Sequence, residues 1–215
     1  PRCGTTPQRI RVGHLRKRRC VIGTTGLIGS AVVKAFGAEH EVISVGHKSG
    51  KHRFDISSTD SIKALYKAIG SVDAVVSCAG QAAFKPLAQL SDEDFNLSLR
   101  NKLMGQVHLV TLGLDIVRDR GSFTLTSGVL AQEPMVGGAA ISLVNAGLEG
   151  FTRGAALEMP RGIRINVVSP PWVSETLKAM GQDPSHGMPA AAVAKVYVKT
   201  ALGGATGKVV DARAG

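Results

Sequence analysis

The sequence predicts one α/β domain built on a doubly wound, parallel, seven-stranded sheet. Three observations carry that expectation. Short apolar segments alternate with amphipathic ones from residue 18 to the C terminus, the pattern of repeated strand–helix–strand units. The apolar segments are rich in Val and Ile and lack polar alternation, as strands covered on both faces do. The first of them, Cys20-Val21-Ile22, breaks into Gly23, Gly26 and Gly29 just where a helical period begins.

Strands are expected at 18–23, 41–46, 52–55, 72–78, 121–127, 163–168 and 207–211. Between them, helices are expected at 27–37, 58–69, 92–118, 139–159 and 189–202. Leu27, Ile28, Ala31, Val32 and Ala35 mark one face of the first helix. Ser58 or Thr59 can cap the second, and Ser91 with Asp94 resembles a capping box for the third. Pro160 and Gly162 stop the fourth before strand 163–168. Residues 169–188, rich in Pro, Gly and Ser, are expected to be irregular. They follow the end of a strand, where ligands bind in sheets of this kind.

With 215 residues, 44% of them hydrophobic and 20% charged, the chain suits a single domain with a sizeable core. The net charge of +10 is unevenly spread. Seven of the 26 basic side chains lie in residues 1–19, which hold no acid, so the remaining 19 face 16 acidic residues, a net of +3. The chain is therefore divided into a basic N-terminal extension, 1–18, and a single folded domain, 19–215. The body shows no nucleic-acid signature, and the extension has no aromatic residue to stack a base. No apolar run has the length of a membrane span, and the basic first twenty residues lack the apolar stretch of a secretory leader. Three cysteines without disulfide or metal spacing fit a cytoplasmic protein with reduced thiols. No metal site is expected.

The strand–glycine–helix junction has the chemistry of a phosphate cradle. Gly23 permits a tight turn, Gly26 leaves room for a pyrophosphate, and Gly29 lets helix and strand approach. The helix N terminus at Leu27 and Ile28 presents unpaired N–H groups and a partial positive charge, and Thr24 and Thr25 can add hydroxyl donors. At the end of the second strand an acid would select NAD, by accepting from the ribose 2′-hydroxyl. Here Gly46-His47-Lys48 stands instead, so NADP(H) is preferred, with NAD(H) the alternative.

Several segments together resemble the short-chain dehydrogenase/reductase family, over about residues 19–215 and in its order. They are the glycine turn, Asp55-Ile56, Ser77-Cys78-Ala79-Gly80, Ala146 to Arg153, and Arg164 to Pro170. The resemblance implies a Rossmann-type fold. It assigns Asp55 and Ile56 to the adenine, Cys78, Ala79 and Gly80 to the cofactor side of the sheet, and the loop from Pro170 to Val173 to the nicotinamide. The glycine turn departs from the family spacing, its middle glycine lying one residue early.

The family's catalytic Asn, Ser, Tyr and Lys are displaced. Ile141 stands at the Tyr position and Asn145 at the Lys position. Ser127 lies one residue from the Ser position, and Lys102 stands at the Asn position. The Lys–Asn exchange suggests a swapped pair, Lys102 with Asn145, hydrogen-bonding across the site. Ile141 has no proton to give, so carbonyl reduction needs another acid. Lys102, Ser127 and Asn145 are the candidate catalytic residues, with His186 a weaker proton donor. The expectation is an NADP(H)-dependent oxidoreductase acting on a small carbonyl or alcohol. A cofactor-binding sensor without turnover is the alternative. Trp172, the only tryptophan, can stack on a ligand or pack the loop. The helices at 92–118 and 139–159 carry surplus apolar residues, which predicts a homodimer or homotetramer.

Overall fold

A computed structural model describes residues 16–47 and 51–214. Lys48 and residues 1–15, most of the expected basic extension, lie outside the described residues. Seven strands form one parallel sheet in the order β3-β2-β1-β4-β5-β6-β7. They are β1 (Arg18–Ile22), β2 (Glu41–Gly46), β3 (His52–Arg53), β4 (Val72–Ser77), β5 (Val117–Thr126), β6 (Arg164–Ser169) and β7 (Val209–Asp211). The chain winds outward from β1 to β3, then returns to lay β4 on the other side of β1. The crevice at that reversal is where a doubly wound sheet binds ligands.

The helices are α1 (Leu27–Phe36), α2 (Thr59–Ile69), α3 (Asp92–Ser98), α4 (Gly105–Thr111), α5 (Ala139–Ala155), α6 (Ser174–Ala179) and α7 (Ala190–Leu202). They cover both faces of the sheet. Cys20, Ile22, Val75, Phe123 and Ile165 point to one face, where Ile62, Leu65, Leu109 and Leu148 of α2, α4 and α5 pack on them. Val21, Val76 and Val168 point to the other, against Val32, Phe36, Val193 and Tyr197 of α1 and α7. Neighbouring strand residues thus serve opposite cores, which is why the strands read as apolar runs.

Several boundaries match the sequence signals. Ser58 caps α2 by accepting from Ser61 N–H, and Ser91 and Asp94 form a reciprocal capping box on α3. Arg18 belongs to β1, where its backbone N–H donates to Asp73 Oδ2 at 2.7 Å and its guanidinium bonds Glu41. The end of the basic extension is therefore tied to the domain.

Two expectations are corrected. The helix expected over 92–118 stops at Thr111. Gly113 packs so closely that a Cβ there would lie 2.5 Å from Leu109 O, and the chain turns into β5, which opens at Val117 beside Val72. Ile116 and Val117 continue an apolar pattern but serve the sheet. The same helix widens at Leu99–Met104 into a π-helical turn. The segment 169–188 is not wholly irregular, since it holds α6 and a short turn at Pro184–His186.

Candidate active site

Two clefts open side by side at the C-terminal edge of the sheet and meet at Gly80. The first, of about 430 Å³, is lined by Gly23, Thr25, Gly26, His47, Phe54, Asp55, Ile56, Cys78, Ala79, Gly80, Gln81 and Asn101. Its floor is the glycine junction. Gly29 packs against that turn, and a Cβ there would lie 2.1 Å from Gly23 O, so no other residue fits. The N terminus of α1 begins after Gly26 with no side-chain cap and no acid in its first turn. Its free N–H groups and dipole are therefore left to an anion in the cleft. These features fit a dinucleotide's pyrophosphate.

Not every residue expected at the cofactor reaches this cleft. Thr25 does, but Thr24 turns both its N–H and its hydroxyl to Val45 O at the end of β2. Leu27 and Ile28 do not line it: the Leu27 side chain is exposed and Ile28 packs against the core. Asp55 Oδ1 accepts from Ser57 N–H and Oγ–H, at 2.9 and 2.7 Å. Those bonds hold its carboxyl below the usual range, which keeps it ionised and accepting. His47 lies exposed on the cleft wall.

The second cleft, about 410 Å³, is lined by Gly80, Lys102, Ser127, Gly128, Val129, Leu130, Ile141, Asn145, Pro170, Pro171, Trp172, Val173 and Thr176. It gathers the three candidate catalytic residues with Pro170 and Val173. Lys102 comes from the π-helical turn, a feature that often marks functional sites. Its stem is wedged against Gly80, where a Cβ would lie 2.9 Å from Lys102 Cγ. Its ammonium donates to Ser127 O at 3.2 Å. Burial pushes it down to about 8, because an apolar setting disfavours the charged form. Among the described residues, Lys102 is the one titratable side chain lining this cleft.

Asn145 is buried on α5, one turn beyond Ile141. Its Nδ2 donates to Gly128 O at 3.3 Å, and its Oδ1 has no partner. Lys102 and Asn145 therefore do not bond each other as the swapped-pair expectation had it. They hold consecutive carbonyls, Ser127 O and Gly128 O, from opposite walls. The Ser127 hydroxyl lies 3.2 Å from Glu149 Oε1, a buried carboxylate that also accepts from Gln132. That hydroxyl is engaged behind the cleft, leaving Lys102 the better-placed donor.

His186, the weaker proton-donor candidate, and two carboxylates, Glu133 and Glu175, stand apart from the site. His186 lines neither cleft. Glu133 is bound by Arg213, and Glu175 accepts from Ala190 N–H. Trp172 does two things. It lines the cleft and packs edge-to-face on Phe84, ring centres 6.4 Å apart, joining the loop after β4 to the loop after β6.

Three supporting residues lie outside the expected set of site residues. Buried Gln106 clasps Thr126 at both its N–H and C=O, at 2.8 and 2.9 Å, and so sets the end of β5 that carries Ser127. Asn101 Oδ1 accepts from Gln81 N–H at 2.7 Å and holds the loop containing Gly80. Phe84 braces Trp172. Gln106 left a signal, a polar residue on the apolar face of a helix, and Asn101 left one in standing next to Lys102 at the family's Asn position.

No helix among the described residues is long and apolar enough to cross a membrane, and no cluster of metal-ligating side chains occurs among them. A family model described as enoyl-(acyl carrier protein) reductase matches residues 31–206. The hydroxynaphthalene reductase arp2 of Aspergillus fumigatus is 27% identical over 139 residues, 62% of this chain and 51% of that protein. The 3-oxoacyl-[acyl-carrier-protein] reductase of Mus musculus is 26% identical over 140 residues, 61% and 59% of the two chains. The chain thus spans about half the length of the curated relatives it matches. The protein lin1944 from Listeria innocua is similar in structure, with a TM-score of 0.87 and 41% identity over 91% of this chain and 98% of that one. A small-chain dehydrogenase solved in complex with NADPH superposes with a TM-score of 0.81 at 25% identity, over 93% and 100% of the two chains. With its seven-stranded parallel sheet, its glycine junction at the strand reversal and these matches, the chain belongs to the short-chain dehydrogenase/reductase family.

Proposed function

We propose that this protein is an NADP(H)-dependent reductase of small carbonyl compounds in which Lys102 gives the proton. One observation carries the reading: the glycine cradle and the cleft holding the Lys102 ammonium adjoin at Gly80. A cofactor laid along the first cleft reaches the second. NADPH, when bound, supplies hydride to the carbonyl carbon. The chain supplies the rest. Its ammonium donates a proton to the carbonyl oxygen, leaving an alcohol and a neutral amine that regains its proton from water. An acid near pH 8 suits that transfer at neutral pH. Asn145 braces Gly128 O at the wall of the second cleft. Trp172, Ile141 and Leu130 give an apolar wall to the substrate. NADP(H) is favoured over NAD(H) because β2 ends in Gly46 and His47 without an acid.

A fluorescence titration with NADPH tests the cradle, and NADPH consumption with a panel of small ketones, aldehydes and 2-oxo acids tests turnover. Lys102→Ala is expected to lower the rate by about 10²–10⁴. Binding without turnover across the panel would favour the alternative, a cofactor-binding module without catalysis. Ile141 in the cleft speaks for that alternative. Leu97 and Leu143, exposed on α3 and α5, supply an apolar face for pairing two copies, and sedimentation of the purified protein as a dimer or tetramer tests it. The free thiols Cys20 and Cys78 suit a cytoplasmic setting.

A further inference from the structure

We propose that the substrate of the second cleft is itself an anion, a small 2-oxo acid whose carboxylate pairs with Lys102. This rests on the reductase reading above and names its substrate class. Lys102 takes part in no ion pair among the described residues. The nearby carboxylates are engaged elsewhere, Glu149 with Ser127 and Gln132, and Glu175 with Ala190 N–H. The other side chains around the ammonium are largely apolar, among them Ile141, Leu130 and Trp172. A cation in such a setting is costly unless a counter-charge meets it. The pyrophosphate does not serve, since Lys102 is absent from the lining of the cleft that cradles it.

The hydrogen count points the same way. An ammonium carries three N–H donors, and one is spent on Ser127 O. Two remain, directed by a stem that Gly80 holds in place. A 2-oxo acid presents two oxygens side by side, one carbonyl and one carboxylate, and takes both. The carbonyl oxygen then lies on the proton it receives. A neutral ketone or ester leaves the charge half-met and binds worse.

Trp172, the only tryptophan of the chain, lines this cleft and serves as the probe. The protein, with and without NADP⁺, is titrated with phenylglyoxylate and with its methyl ester, and Trp172 quenching is read. The acid is expected to bind at least about tenfold more tightly. Lys102→Met closes that gap and Lys102→Arg keeps it, while both variants still bind NADPH, which shows that they fold. Equal affinities for acid and ester, no binding of the acid, or a preference that survives Lys102→Met overturns the proposal. Loss of NADPH binding with the acid preference intact would instead remove the reductase reading and leave the anion site standing.

Discussion

Lys102 carries a proton, a charge and a position at once, and each can be measured. Burial brings it to about 8, and the proposed reduction needs its ammonium form. The kcat/KM for reduction is therefore expected to fall as pH rises through about 8. Arg100 beside it is exposed, and Glu149 and Glu175 are held by other partners, so Lys102 dominates that limb. A bound carboxylate raises its pKa again, which places the limb of kcat above that of kcat/KM. A pH–rate profile checks both. Stability has the opposite sign. Below about pH 8 the folded protein holds a desolvated ammonium, while the unfolded chain keeps its Lys protonated to about 10.4. Between those values the unfolded state binds more protons, so stability rises with pH. Lys102→Met is thus expected to stabilise the fold at pH 7, by something of order 1–3 kcal/mol, with the gain gone above about pH 10.5. Urea unfolding of the pair at several pH values reads it. Gly29→Ala drives a methyl into Gly23 O. It is expected to cost about 1–3 kcal/mol and weaken NADPH binding, seen in the same titrations.

Among the elements, the bent α3–α4 unit does most to shape the site. Its π-helical turn sends Asn101 to the first cleft and Lys102 to the second, so consecutive residues line different clefts. Its start was legible: Ser91 and Asp94 cap it as their spacing predicts. Ser91→Ala is expected to cost about 1 kcal/mol, measured by thermal or urea unfolding. Its course was not legible. The apolar period runs past Thr111 into Ile116 and Val117, and only packing at Gly113 decides that the helix ends and β5 begins. Likewise α6 lies inside a Pro/Gly-rich stretch, and Val173 bridges Met188 across it. Contacts between residues far apart in the chain set such features, and local propensity does not carry them.

For the whole molecule, the order β3-β2-β1-β4-β5-β6-β7 places the C-terminal ends of β1, β4, β5 and β6 at one edge. Gly23, Gly80, Ser127 and Pro170 all follow those ends, so the sheet itself assembles the two clefts. The surplus apolar residues of the third and fourth expected helices divide. Leu109, Val110, Val144 and Leu148 fill the core, while Leu97, Leu143 and Leu157 stay exposed, the last at 89%. If the exposed set is an interface, Leu143→Glu shifts the sedimenting species toward the monomer with NADPH binding unchanged.

The sequence by itself determined the fold class, the glycine cradle, and the identities of the residues that gather at the second cleft. Those are local facts: strand burial, helix period, capping pairs and glycine spacing are written in neighbouring residues. The tertiary structure decided which groups those side chains meet. Lys102 and Asn145 read as partners of each other, yet each takes a different carbonyl after β5, and Ser127 gives its hydroxyl to Glu149. Such partners lie many residues apart in the chain, and their geometry exists only once both faces of the sheet are packed.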